Sequence, residues 1–62
     1  MHTVFDVNND IKYIFKADNP YDAMQKMLYT LNFKGRDNNA VIKETDSGYF
    51  LIHRNFEYWI KK

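Results

Sequence analysis

The chain has 62 residues, which accommodates one domain spanning residues 1–62 and no linker. A domain this small buries only about 60% of the surface its unfolded chain exposes, and without cysteine it has no disulfide or thiolate metal site to staple it. Nine basic against eight acidic residues leave a formal charge of +1, which argues against a molecule-wide electrostatic footprint for nucleic acid or membrane.

Packing alone, or a partner, must supply the stability, and five Phe, five Tyr and one Trp offer large rings to bury. No apolar run approaches the roughly 20 residues of a membrane span. The opening Met1-His2-Thr3-Val4-Phe5-Asp6 lacks the basic start and apolar core of a signal peptide. A reducing, cytoplasmic setting is the expectation. Abundant Asn, Lys, Ile, Phe and Tyr beside scarce Gly, Ala, Arg and Pro point to an AT-rich source, such as a low-GC bacterium, its phage or a mobile element.

Thr3-Val4-Phe5-Asp6-Val7 alternates in polarity as a strand does. Asn8-Asn9-Asp10 suits a turn, because Asn and Asp tolerate left-handed backbone. Ile11 to Ala17 reads as a second strand. A three-residue loop over 8–10 predicts Val7 opposite Ile11, Phe5 opposite Tyr13 and Thr3 opposite Phe15 on one face. Asp6 then opposes Lys12, and Val4 opposes Ile14, on the other.

A helix should start at Asn19-Pro20, with Asn19 as its cap and Pro20 in its first position. Asp22 complements the helix dipole and sits four residues before Lys26. Met24, Met27, Leu28 and Leu31 form the apolar stripe. Gly35 is the expected stop. Phe33 lies off the stripe and is expected to fold back after the last turn, and 34–39 reads as a polar loop.

Strand signals resume at Ala40–Thr45, turn at Asp46-Ser47-Gly48, and continue through Tyr49–His53. Arg54-Asn55 reads as a two-residue turn, and Phe56–Lys61 as a last strand. The expected architecture is α+β: one helix packed on one face of an antiparallel sheet, in the order β-β-α-β-β-β.

One helix covers one face only. With two-residue turns at Ser47-Gly48 and Arg54-Asn55, Glu44 opposes Leu51, Ile42 opposes His53, Leu51 opposes Tyr58 and Phe50 opposes Trp59. Phe56, Tyr58 and Ile60 then face the helix. The uncovered side carries Val4, Ile14, Val41, Phe50, Ile52 and Trp59 among Lys12, Lys16, Lys43, Arg54 and Lys61. Such a patch marks an interaction site unless loops fold over it. The leading expectation is a non-enzymatic binding module that meets a protein partner, or its own copy as a homodimer, through this face. The alternative is single-stranded nucleic acid, with Trp59 and Phe50 stacking bases and the lysines and Arg54 meeting phosphates.

Reaction chemistry is hard to assemble from what is present. His2 and His53 have no ligand spacing with each other. Ser47, the only serine, belongs to a turn. Glu44 and Glu57 form no isolated carboxylate pair, and two glycines make no phosphate loop. No metal, cofactor or membrane partner is expected.

Overall fold

The computed structural model describes the backbone of residues 1–35 and 39–62 and the side chains of 1–32 and 39–62. It is an α+β fold, with elements β1 (His2–Asp6), β2 (Ile11–Phe15), α1 (Pro20–Gly35), β3 (Ala40–Glu44), β4 (Gly48–His53) and β5 (Phe56–Lys61). The strands form one antiparallel sheet in the order β2-β1-β5-β4-β3. The helix therefore leads from one outer strand to the other. Its 16 residues make a rod of about 24 Å, enough to cross the roughly 19 Å between the outer strands of a five-stranded sheet.

The start of α1 is the one expected. Asn19 Oδ1 accepts the Asp22 amide at 2.9 Å, and Asn19 Nδ2 donates to Asp22 Oδ2 at 3.2 Å, so cap and third helical residue satisfy each other. The end differs: Phe33 and Gly35 are still helical, so the backbone does not turn back at Phe33. Of the expected loop 34–39, residues 36–38 lie outside the described residues.

The helix closes one face of the sheet. Ala23, Met24 and Met27 are fully buried against Val4 and Leu51, which are equally inaccessible, and Ile60 and Ala40 join them. Leu28, Leu31, Ile42, Tyr13, Phe15, Tyr49 and Tyr58 pack around this cluster. Gly48 answers to a close approach of backbone rather than to a turn. A Cβ there would lie 2.3 Å from the Ile60 carbonyl oxygen on the neighbouring strand.

The three hairpins test the sequence register separately. The β4–β5 pairing is as expected, with Leu51 opposite Tyr58 and Phe50 opposite Trp59, across a turn in which Arg54 has φ 57°. Between β3 and β4 the turn sits one residue earlier. Asp46-Ser47 form its tip, the Thr45 amide donates to the Gly48 carbonyl at 2.8 Å, and the Gly48 amide donates to Thr45 Oγ1 at 3.3 Å. Lys43 therefore opposes Phe50 rather than Ile52, and Ile42 opposes Leu51. The shift is two residues, so every side chain keeps its predicted face.

Between β1 and β2 the expectation fails. Thr3 opposes Ile14, Val4 opposes Tyr13, and Phe5 opposes Ile11, with Lys12 as the extra residue of a bulge. Val4, expected on the uncovered side, is therefore in the core under the helix. Phe5, expected beneath the helix, is on the open face.

Candidate functional site

The open face follows from that register. Cross-strand neighbours share a face, so one row runs Ile11–Phe5–Trp59–Phe50–Lys43 across all five strands. A second row holds Val41, Ile52 and Glu57, and Ile14 lies beside Thr3. Among the described residues no helix or strand covers these side chains. Ile11 is 61% exposed, Ile14 56% and Val41 55%, high values for aliphatic residues in regular strands.

The centre of the face is braced. The Phe5 and Trp59 rings stack with centroids 4.8 Å apart and planes 23° apart. The Trp59 indole N–H donates to the Asp6 carbonyl at 2.9 Å, which fixes the ring's long axis. Asp6 is itself a structural hub. Its Oδ1 accepts the Asn8 and Asp10 amides at 3.0 Å each, and its Oδ2 meets Lys12 Nζ at 3.3 Å. This carboxylate shapes the turn in which Asn9 takes φ 66°. Burial pushes the Asp6 carboxyl up, but the Asp10 and Asn8 amides and the Lys12 ammonium outweigh it and hold it below the usual carboxylate range.

The residues singled out from the sequence divide accordingly. Trp59, Phe50, Ile52, Ile14, Lys43 and Lys61 are on the open face, Lys61 by alternation with buried Ile60. Lys12 belongs to the bulge, and its ammonium is engaged with Asp6. Lys16 lies beyond the end of β2 and shares a shallow depression with Asp18, Asp22 and Lys26 at the helix start. Its carbonyl accepts a hydrogen bond from Lys26 Nζ. It is thus beside the helix and not on the sheet face. Arg54 sits in the β4–β5 turn, at the end of the face.

Sequence reasoning puts Phe5 and Ile11 on the helix side and does not single out Glu57, although the alternation it predicts for the last strand places Glu57 on the open face. Polarity gave no signal for the first two, because Val4-Phe5 and Ile14-Phe15 are apolar at both parities. The Asp6 side chain, which can bind amides two and four residues ahead, was the available hint of a longer, bulged connection.

Ser47 Oγ lies 3.2 Å from Thr45 Oγ1, as part of the turn. Among the described residues no group of three or more His, Cys, Asp and Glu could hold a metal ion, and no helix is long and apolar enough to cross a membrane. Comparison with protein-family models, with curated proteins and with solved structures finds no match.

Proposed function

We propose that the chain is a non-enzymatic binding module that engages a protein partner through the open face of its sheet. The observation that supports this most is the aromatic row at the centre of that face. Phe5 and Trp59 form a braced stack, with Phe50 opposite Trp59 on the next strand and exposed Ile11, Ile14, Val41 and Ile52 around them. Rigid aromatic anchors that lose little entropy on binding are the usual energetic centre of protein interfaces. Glu57, Lys43 and Lys61 give the rim both signs of charge, which suits a protein surface better than a phosphate chain. The same reading keeps the module in the cytoplasm.

Photo-crosslinking tests the proposal. A photoreactive residue at Ile14 lies on the open face and far from β3, and one at exposed Gln25 on the helix serves as reference. In cells of the source organism, discrete protein adducts from position 14 that Phe50→Asp abolishes, with none from position 25, are expected. Equal adducts from both positions, or none from position 14, would reject the proposal. A single-stranded oligothymidylate titration at low salt should leave Trp59 fluorescence unchanged. Quenching that fades with added salt would replace the protein by a nucleic-acid strand.

A further inference from the structure

The sheet ends in two outer strands that are protected differently. β2 carries the Lys12 bulge, which interrupts its ladder. A bulge of this kind discourages another strand from pairing there. β3 has neither proline nor bulge. Its five residues pair with β4 in unbroken register, and among the described residues no strand lies beyond it.

The outward-pointing backbone groups of β3 can be assigned. The Thr45 amide donates to Gly48 on the β4 side. Alternation in an antiparallel ladder then turns residues 41 and 43 toward β4 and residues 40, 42 and 44 outward. Ala40 agrees with this: its amide is capped from outside the ladder by Asn32 Oδ1 at 3.4 Å. The amides of Ile42 and Glu44, and the carbonyls of Ala40, Ile42 and Glu44, therefore form an edge whose chemistry fits an extended polypeptide backbone.

We propose that this edge pairs with β3 of a second copy, antiparallel about a two-fold axis through Ile42, so that two five-stranded sheets become one. The sequence of β3 is self-complementary in that arrangement. Ile42 meets Ile42, Ala40 meets Glu44, and Val41 meets Lys43, so no like charges stand opposite each other. Glu44 is already compensated by Lys62, whose Nζ is 2.9 Å from its carboxylate. The two-fold axis closes the assembly at two copies, and the protected β2 edge blocks growth into a fibre. The axis is perpendicular to the sheet, so both helices lie on one side and both open faces on the other, with the Val41 side chains near the seam. This pairing stands independently of the partner proposed for the open face, although it would double that face.

Five residues of edge pairing make a small interface, so the dimer should be weak and visible only in a concentration series reaching about 1 mM. Sedimentation of the full chain should show dimer accumulating across that series. Amide exchange by NMR should show the Ile42 and Glu44 amides slowing as dimer forms, while amides of β2 are unchanged. Val41→Lys would place lysine opposite Lys43 twice and should weaken dimerisation about tenfold. The double variant Val41→Lys, Lys43→Glu should restore it. Glu44→Pro removes an outward amide from an exposed position and should abolish it. A chain that stays monomeric throughout the series would overturn the proposal. So would a dimer whose Ile42 and Glu44 amides stay fast, since that dimer would be using another surface.

Discussion

Phe50 and Leu51 are neighbours in β4 and point to opposite faces of the sheet. Leu51 is completely buried beneath the helix, whereas Phe50 is covered only in part, with Trp59 opposite it on the next strand. The two residues are similarly apolar, so side-chain chemistry does not explain the difference. The presence or absence of a second layer does. With one helix for five strands, the chain closes one face, and on the other it braces its rings against one another. The covered face should therefore carry the stability of the fold, and the open face should tolerate change.

The largest effect expected is on the covered side. Leu51→Ala leaves a cavity among Met24, Met27 and Val4 and should cost about 2–5 kcal/mol in urea unfolding, enough to unfold much of a marginal domain. If it cost no more than Phe50→Ala, the two faces would be energetically equivalent. Gly48→Ala comes next. Its Cβ meets backbone rather than a flexible side chain, so the strands must separate, at about 1–3 kcal/mol. Thermal unfolding measures this, since each 1 kcal/mol moves the midpoint by about 4–8 °C in a domain of this size.

Asp6 links the two faces: its carboxylate shapes the β1–β2 turn and its carbonyl holds Trp59. Its carboxyl is depressed in the folded state. The stabilisation it gives is thus fully present above the unfolded value of about 3.9 and is lost as pH falls through the lower folded value. Asp6→Asn should flatten the acid limb of the stability profile. An unchanged limb would show that the carboxylate is not engaged. The smallest effect belongs to the open face. Ile11→Lys, at a position 61% exposed on that face, should change stability by no more than about 0.5 kcal/mol while removing the adducts expected from a photoreactive residue at position 14.

How much of this was legible in the sequence depends on the turn. Arg54-Asn55 is tightly defined, and the register it implies for β4 and β5 is the one observed. At Asp46-Ser47-Gly48 the turn sits one residue earlier than the sequence predicts, but the two-residue shift in pairing preserves every face. The connection after Asp6 was different in kind. Its geometry is set by side-chain-to-amide bonds and by a bulged Lys12, neither of which appears in a polarity pattern. One extra residue put Ile11 and Ile14 on the same face, moved Val4 into the core and brought Phe5 onto Trp59. The central contact of the candidate surface is therefore hidden from the polarity pattern, although Trp59, Phe50 and Ile52 lie on the face that the pattern predicts.

The contrast between faces can be read directly from the accessibility of methyl groups to a soluble paramagnetic probe, in a dilute sample where association is negligible. The methyl signals of Ile11, Ile14 and Val41 should be strongly attenuated, and those of Val4, Leu51 and Ile60 spared. If Ile11 and Ile14 were as protected as Leu51, the second face would be covered, and the surface proposed for binding would not exist.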